Sequence, residues 1–568
     1  DNYILIGPDV WKGTTKTPDF IEDPNLFEGW KAIASKEGLK VRTGRWNIEG
    51  NPQVILVDFT TLFNKKDEIF THLWETYKLD SLHGEWDYIE SAMFGYAAGQ
   101  VVESFQKHQL PYPINVIAHF HEWMTGSGVL YLKNKAPQIS TAFTTHATVM
   151  GRSIAGNGFP LYENIEQYQP DRIARDFNII SKHSLESLSA NEADVFTTVS
   201  TITAKECKQF FGIEPQIITT NGFEKDFIPK ANLFEKKRKA ARKIALEVAS
   251  KHTGATYDED TLLLITSGRY EYTNKGIDLF IKSLNNIKNN ISKKIVAYIT
   301  VPAGHHDPVL SENGNFYGVD RFLTHHLHQP ENDPVLNELK NLGLTNHESD
   351  NIHIIFAPVY LNGNDGVINL PYYDFLIGFD LSIFPSYYEP WGYTPLESVA
   401  FRIPTLTTNY AGFGDWVTNS FVLEHNSVKV IERHEGQGSR AISQIENTIL
   451  DFVNLTDHTS IRKETGKVLK KALWQQMAHN YMQAWALAVH NSSKRKINLP
   501  AKKYTETLKI DAVMNSHKPE WKKILVQNIL PKELLPLKEL AFNLWWSWNY
   551  SATNMFAGID PVKWKLFE

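Results

Sequence analysis

Short runs of apolar residues recur along the chain, and segments with helical periodicity separate them. They fall into two series, and each run has the length of a buried strand. The first series is Tyr3–Ile6, Val54–Phe59, Asn115–Phe120, Ser140–Thr145 and Val195–Val199. The second is Leu262–Thr266, Ile295–Thr300, His353–Phe356, Leu381–Phe384, Thr405–Thr408 and Val428–Ile431. Because Val- and Ile-rich runs that alternate with helices are typical of parallel sheets covered on both faces, we predict two Rossmann-like α/β domains.

The remaining segments complete a predicted domain order. The predicted parts are an N-terminal domain at 1–221, a second domain at 222–472, a returning helix at 473–491, a linker at 492–503 and a helical tail at 504–568. Apolar residues at helical spacing indicate the returning helix. The linker begins with Ser-Ser-Lys-Arg-Lys and contains a proline. Residues Asp307–Asp350, rich in histidine, asparagine and glycine, are predicted to form a surface insertion.

Composition narrows the function classes. The chain has 568 residues and a formal net charge of −6, so it has no general attraction for nucleic acid or anionic membranes. Its single cysteine, Cys207, excludes intrachain disulfides, and we expect a cytoplasmic protein. No apolar run is long enough to span a bilayer. The sequence begins at Asp1, almost directly on a strand, so we expect the start to be truncated.

The stretch from Asp380 to Trp416 carries the strongest chemical signal. An apolar run is followed by a loop rich in aromatic residues and glycine, and then by Thr394-Pro395-Leu396-Glu397. This tetrapeptide predicts a helix start in which Thr394 caps and Glu397 completes a capping box. Glu389 lies in the loop, which is expected to lie outside the core. The alternative is that Glu389 is an ordinary surface acid and Glu397 only a cap.

Two further groups of polar residues follow predicted strands. Arg269 and Lys275 lie in the turn Gly-Arg-Tyr-Glu-Tyr-Thr-Asn-Lys-Gly, where two exposed cations alone would indicate solubility. His119 and His121 belong to His-Phe-His-Glu-Trp, and His146 to Phe-Thr-Thr-His-Ala-Thr. The spacing of the first two histidines at a strand end suits packing or polar contacts better than zinc. The irregularly spaced histidines of the predicted insertion do not favour a metal site either, so none is predicted.

These segments together resemble one enzyme family. The spacing of Glu389 and Glu397 resembles the E-x7-E motif of retaining glycosyltransferases. The strings SYYEPWGYTPLE, GRYEYTNKG, HFHEW and FTTHAT resemble glycogen synthases of the animal and fungal type, and the likeness covers roughly residues 1 to 490. The resemblance implies a GT-B fold, in which two Rossmann-like domains face a cleft. The sequence departs from the family in three respects. The paired glycines of the family's N-terminal loop are absent, the insertion at 307–350 is shorter than the eukaryotic one, and Asp457–Lys471 has one arginine, Arg462, in place of an arginine cluster.

The resemblance also implies roles for the residues. Glu389, Arg269, Lys275 and His146 are the implied catalytic residues. Tyr372, Gly392, Tyr393, Thr394 and Glu397 are implied to bind the donor, and His119 and His121 to lie on the acceptor side. In this scheme the two cations and the helix start hold the diphosphate, Tyr372 stacks on uracil, and His146 faces the glucose. Tyr373 remains an alternative to Tyr372.

The implied reaction moves glucose from UDP-glucose to the non-reducing end of an α-1,4-glucan. The expected partners are a nucleotide sugar and an α-glucan, with no nucleic acid and no membrane; the oligomeric state is left open. No cofactor or metal is expected. UDP and ADP are not distinguished as the donor nucleotide. The alternative functions are a non-catalytic glucan-binding or regulatory module and, with less support, a transferase that uses a small acceptor.

The tail resembles a second family. LAFNLWWSW at 540–548 and FAGIDP at 556–561 resemble the opening of bacterial and archaeal α-glucan phosphorylases. The bland alternative is an amphipathic core helix. We expect that the natural protein continues into a phosphorylase, in which case pyridoxal phosphate would belong only to that missing part.

Overall fold

The structure of the protein is a computed structural model that describes residues 3–10, 17, 19–110, 115–309, 321–455 and 457–495. It divides into two compact units. The first comprises the described residues of Asp1–Phe143, Glu192–Val195 and Trp485–Glu568, and the second those of Thr144–Asn191 and Phe196–Ala484. Strands and helices in both confirm the predicted α/β class. The domain boundaries proposed from the sequence remain predictions, and the predicted tail lies outside the described residues.

The first unit contains a mixed sheet. The strands of this unit are β1 (Ile4–Pro8), β2 (Phe20–Glu22), β3 (Val41–Trp46), β4 (Gln53–Val57) and β5 (Ile117–His121). The helices of this unit are α1 (Glu28–Lys36), α2 (Lys66–Tyr77), α3 (Trp86–His108) and α4 (Ser127–Lys135). Four strands form a sheet in the order β1-β4-β3-β2. β1 and β4 are parallel, as predicted, whereas β3 and β2 are antiparallel to their neighbours. The parallel prediction is wrong at this edge, where Phe20 pairs with Trp46 and their rings lie 5.6 Å apart.

A separate four-stranded sheet has the order β5-β6-β7-β8. The elements are β6 (Ser140–Thr145), β7 (Val195–Thr198) and β8 (Ile217–Ile218), with α5 (Val149–Gly156), α6 (Pro170–Asp176), α7 (Ile180–Glu192) and α8 (Thr201–Phe211). Strands β6 and β7 are buried along their whole length, as expected for runs covered on both faces. α8 begins at an N-cap, Ser200, whose side chain accepts a hydrogen bond from the Thr203 amide.

The second unit is built on a six-stranded parallel sheet with the order β13-β10-β9-β14-β15-β16. Its strands are β9 (Leu262–Ser267), β10 (Ile295–Thr300), β11 (His305–Pro308), β12 (His325–Leu327), β13 (Ile352–Ala357), β14 (Leu381–Ile383), β15 (Thr405–Thr408) and β16 (Val428–Ile431). Its helices are α9 (Ala231–Thr253), α10 (Ile277–Ile287), α11 (Pro334–Asn341), α12 (Tyr372–Leu376), α13 (Tyr393–Ala400), α14 (Gly412–Ser420), α15 (Gly438–Asn454) and α16 (Thr459–Ala472). The last helix, α17 (Trp474–Ser493), belongs to this unit as far as Ala484. Separate hydrophobic clusters cover the two faces of this sheet, so every strand is buried between layers.

The predicted surface insertion is wrong in part. Residues of Asp307–Asp350 supply the antiparallel pair β11–β12 and the helix α11, and several of their side chains join the core of the parallel sheet. The buried members are Val309, Phe322, Leu323, Leu327, Val335, Leu336 and Leu339. The sequence did not predict these core contacts, because polar residues outnumber apolar ones in this segment and the apolar residues form no continuous run.

The amino end of β14 is fixed by a buried charge cluster. Asp380 accepts from Arg238, Arg242 and Arg462 at 2.7, 2.6 and 2.7 Å, and from the Leu263 amide at 2.9 Å. Burial alone would raise the pKa of Asp380, but the charges of these arginines outweigh it and hold the pKa below its ordinary value. A cavity of about 1620 Å³ adjoins this cluster, and none of the predicted site residues lines it.

Candidate active site

The two strongest motifs follow adjacent strands of the parallel sheet. β9 ends at Ser267 and β14 ends at Ile383, and the two strands pair in parallel with Leu381 opposite Leu264. On one side of this pair the strands follow the order β9, β10 and β13, and on the other side β14, β15 and β16. The strand order therefore reverses between β9 and β14. In an open α/β sheet, ligands bind outside the carboxyl ends of the strands at such a switch point.

The turn after β9 packs directly on the loop after β14. The Tyr387 amide donates to the carbonyl of Asn274 at 2.7 Å. Gly276 has a φ of +68°, and a Cβ there would lie 2.2 Å from the carbonyl oxygen of Pro385, so only glycine fits. Arg433 donates to the carbonyls of both Pro385 and Thr273, which joins the two segments. The resemblance implies that both motifs serve one site, and in the structure the two motifs are in contact.

Lys275 and Glu389 form an ion pair in this shared turn. The Lys275 ammonium contacts the Glu389 carboxylate, and the two side chains are only 11% and 14% exposed. The expectation that the loop lies outside the core is wrong, because its neighbours Tyr388 and Trp391 are 1% and 2% exposed. Glu389 is therefore not an ordinary surface acid. Arg269 lies on the same turn but is 57% exposed and pairs with Glu271 at 2.8 Å.

The helix start after this loop differs from the predicted capping box. α13 begins at Tyr393, two residues before the expected first helical residue Pro395, and its N-cap is Gly392 with a φ of 107°. Thr394 is the second residue of the helix, and no side chain caps it. Glycine permits the left-handed conformation that turns the chain into the helix, so the loop needs no hydroxyl cap. The amides of Tyr393 and Thr394 still lie in the first turn, where helices attract anions.

Glu397 is held by tyrosines instead of capping the helix. The hydroxyl of Tyr373 donates to its carboxylate at 3.0 Å. Burial and the negative charge of Glu389 raise the pKa of Glu397 to about 7, although the hydroxyls of Tyr373 and Tyr372 lower it in part. The capping-box prediction failed because these buried donors compete successfully for the carboxylate.

Tyr372 and Tyr373 lie side by side at the start of α12 with different surroundings. Tyr372 shares a hydrogen bond of 2.6 Å with Ser267, the last residue of β9. The ring of Tyr373 packs against Phe223, Phe227 and Phe401, at centroid distances of 5.8, 5.5 and 5.1 Å. Both tyrosines pack against the core of the parallel sheet, and Tyr372 is the one that bonds to the end of β9.

The three histidines predicted from the sequence lie in two different units of the structure. His146 follows β6 in the second unit, and burial lowers its pKa below the ordinary value. His119 and His121 lie on β5 in the first unit with their rings stacked at 4.2 Å. Trp485 donates to Nδ1 of His119 at 3.1 Å, which places the His119 proton on Nε2. The sugar-binding roles of all three stay predictions.

Several polar residues near the site gave no signal in the sequence. Arg433 joins the two motif segments, and Glu435 accepts from the Tyr387 hydroxyl and the Tyr162 amide, both at 2.6 Å. Glu206 is fully buried and accepts from Tyr388 at 3.4 Å. Each is a single polar residue outside any recognisable motif, and its partners lie far away in the chain. Contact information would have been needed to find them.

Neither a metal cluster nor a membrane span is found in the described part of the chain. No group of three or more histidine, cysteine, aspartate or glutamate residues there is arranged to hold a metal ion. No helix there combines the length and apolar character needed to cross a membrane.

Comparison with known proteins identifies the chain. A family model described as "Glycogen synthase" matches residues 1–311 and 317–522. The glycogen [starch] synthase of Neurospora crassa is 28% identical over 88% of this chain and 80% of its own length. The corresponding protein of Caenorhabditis elegans is 29% identical over 86% of this chain and 83% of its own. Among solved structures, the catalytic domain of starch synthase IV from Arabidopsis thaliana bound to ADP and acarbose matches at a TM-score of 0.49. It shares 15% identity and covers 86% of this chain and 99% of that one.

The site and the family match together define a glycosyltransferase. The chain belongs to the glycogen synthase family, which confirms the resemblance seen in its motifs. A second model, described as "Protein of unknown function (DUF3417)", matches residues 530–568. That match covers residues 530–568 of the predicted tail, which lies outside the described residues.

Proposed function

We propose that the protein transfers glucose from UDP-glucose to the non-reducing end of an α-1,4-glucan, with retention at the anomeric carbon. The observation that carries this proposal is the Lys275–Glu389 pair at the switch point of the parallel sheet, in a chain of the glycogen synthase family. We place the reaction in the cytoplasm, in agreement with a single, buried cysteine.

The donor diphosphate would lie at the carboxyl edge of β9 and β14. Its departure develops negative charge, which Lys275, Arg269 and the first turn of α13 are placed to compensate. Lys275 and the helix start lie on the two segments that Arg433 joins, and Arg269 is exposed to solvent on the same turn. These groups need no cofactor or metal for the role proposed here.

The carboxylates and the tyrosine would orient the rest of the donor. Glu389 would accept from sugar hydroxyls, and Glu397 would contact the nucleotide side through its second oxygen. Tyr372 would stack on the base, and His146, whose lowered pKa keeps it neutral at pH 7, would bond to the glucose. His119 and His121 would line the acceptor side.

Radiolabelled transfer to glycogen tests the reaction, with UDP-glucose and ADP-glucose compared as donors. Incorporation from UDP-glucose with release of UDP is the expected result. Preferential incorporation from ADP-glucose would correct the nucleotide. Glucan binding without incorporation from either donor would favour the non-catalytic module, which the missing glycine pair of the N-terminal loop supports.

Calorimetry with UDP tests the diphosphate site separately from turnover. Lys275→Ala should weaken UDP binding, because the phosphate charge is present before and after transfer. Lys282→Ala is the matched control, since Lys282 lies on α10 and pairs only at 3.8 and 3.7 Å with Asp278 and Glu338. Equal UDP affinity of the Lys275 variant and the control would place the phosphates elsewhere.

We further propose that residues 530–568 begin a glucan-degrading module. The proposal rests on the LAFNLWWSW and FAGIDP strings, in the region that the second family model matches. The natural protein should then release glucose 1-phosphate from glycogen when phosphate is supplied. Pyridoxal phosphate would be required for that activity only. If the natural protein transfers glucose but releases no glucose 1-phosphate from glycogen, this second proposal is wrong and the first is unaffected.

A further inference from the structure

Glu206 on α8 is a fully buried carboxylate that none of the predicted roles uses. Three hydroxyl groups donate to it. Thr148 and Tyr388 bond to Oε2 at 2.6 and 3.4 Å, and Tyr162 bonds to Oε1 at 3.3 Å. In the described part of the chain no cation forms a salt bridge with Glu206. Hydroxyl donors thus take the place of a counter-ion.

The donors come from segments that carry the proposed reaction. Thr148 is the N-cap of α5 and lies two residues after His146, and its own oxygen accepts from the Gly151 amide at 2.9 Å. Tyr388 immediately precedes Glu389 and is 1% exposed. One carboxylate therefore bonds both to the segment that follows His146 and to the segment that leads into Glu389.

Glu206 is closely packed against α5. A Cβ on Gly151 would lie 2.1 Å from Oε2 of Glu206, so the backbone of α5 is pressed against the carboxylate. Burial raises the pKa of Glu206 to about 7, although its hydrogen bonds and the charge of Arg152 oppose the shift.

We propose that Glu206 is a positioning residue for glucosyl transfer, which fixes the His146 segment and the Tyr388–Glu389 segment relative to one another. This inference rests on the proposed function. Glu206 touches neither donor nor acceptor and acts through Thr148 and Tyr388. Because catalytic groups must be held within a fraction of an ångström of their productive positions, loss of this link should reduce turnover more than binding.

Steady-state kinetics of Glu206→Gln gives the first test. The amide offers one acceptor oxygen instead of two, so the three hydroxyl groups cannot all keep their bonds. Turnover should fall roughly tenfold to a hundredfold, as expected when a buried hydrogen-bond donor loses its partner. The KM for UDP-glucose should stay within about threefold. Glu464→Gln is the control, because Glu464 is also buried but accepts from backbone amides of residues 424–427.

A double-mutant cycle with Tyr388→Phe gives the second test. If Glu206 acts through Tyr388, the two substitutions should be strongly non-additive in kcat, whereas Glu464→Gln and Tyr388→Phe should be additive. Additive effects, or a Glu206→Gln turnover equal to that of Glu464→Gln, would overturn the proposal and leave Glu206 a structural residue.

Hydrogen exchange separates a failure of this inference from a failure of the proposed function. Glu206→Gln should speed amide exchange both at 145–152 and at 386–392, and Glu464→Gln should do so at neither. If the unsubstituted protein transfers no glucose, the proposed function fails and exchange alone decides whether Glu206 couples the two segments. Unchanged exchange at either segment would overturn the coupling.

Discussion

Replacing Glu389 by alanine should cost stability as well as activity. The substitution leaves the Lys275 ammonium without its carboxylate, in a place where the lysine side chain is only 11% exposed. Exposed ion pairs contribute about 0–1 kcal/mol, whereas breaking a buried pair costs about 3–5 kcal/mol. Since this pair is close to the buried limit, we expect a loss of about 3 kcal/mol. Turnover should fall at least a hundredfold, roughly the effect of losing a positioned polar group from a dry site.

Urea unfolding and initial rates measure the two effects in parallel. Glu247→Ala is the control for stability, because Glu247 pairs with Lys243 at 3.6 Å on the exposed face of α9, where the side chains are 55% and 76% exposed. The control should change the free energy of unfolding by about 0.5 kcal/mol or less and leave turnover intact.

A charge-free double variant shows whether the unpaired charge is the cause. Lys275→Met combined with Glu389→Leu removes both charges and should recover most of the lost stability, since apolar replacement of buried ion pairs is often neutral or stabilising. The same variant should stay inactive. An unfolding midpoint of Glu389→Ala equal to that of the unsubstituted protein would refute the reasoning, as would a double variant less stable than either single one.

Three further predictions concern other parts of the second unit. Asp380→Asn should lower the free energy of unfolding by about 3 kcal/mol or more, since buried arginines lose their partner; an unchanged urea midpoint would contradict this. Because the pKa of Glu397 is raised from 4.5 to about 7, its stabilising effect is full below pH 4.5 and lost as pH rises through 7. Urea unfolding at several pH values should show this loss of stability in the unsubstituted protein but not in Glu397→Gln. Identical pH profiles of the two proteins would contradict the prediction. Glu435→Ala should speed limited proteolysis at the exposed residues 156–160, because the Tyr162 amide loses its hydrogen-bond acceptor. Glu432→Ala is the control, since the Glu432 side chain is 60% exposed, and it should not change the cleavage rate. Equal cleavage rates in the two variants would show that the bond between Tyr162 and Glu435 does not hold this segment.

The parallel core was predictable because its strands are continuous apolar runs. Leu262–Ser267, Ile295–Thr300 and Ile352–Ala357 are buried at every position, and such runs need no long-range information to be recognised. β3 could not be found in this way, since Val41–Trp46 mixes arginine, threonine and glycine and owes its strand conformation to pairing with β4.

The site shows the same division between local and distant information. Glu389 and Lys275 lie in dense motifs, so the sequence predicted both, but only the fold shows them in contact. Glu206 bonds to Tyr388 across 182 residues of sequence, and no local pattern distinguishes this glutamate from others on amphipathic helices. Glu397 was misread as a cap because local spacing cannot show which donors reach a side chain from another element.

The anchored stretch from Asp380 to Glu389 restricts insertions and deletions more than it restricts side chains. Three points along it are tied to different elements: Asp380 to arginines of α9 and α16, Pro385 to Arg433, and Glu389 to Lys275. Between them, β14 pairs on both sides, and successive strand residues face opposite ways. Adding or removing one residue would turn Leu381 and Ile383 out of their core layer or pull Glu389 out of register with Lys275. Variants of this protein should therefore accept exchanges of apolar residues here while keeping the number of residues between the anchors constant.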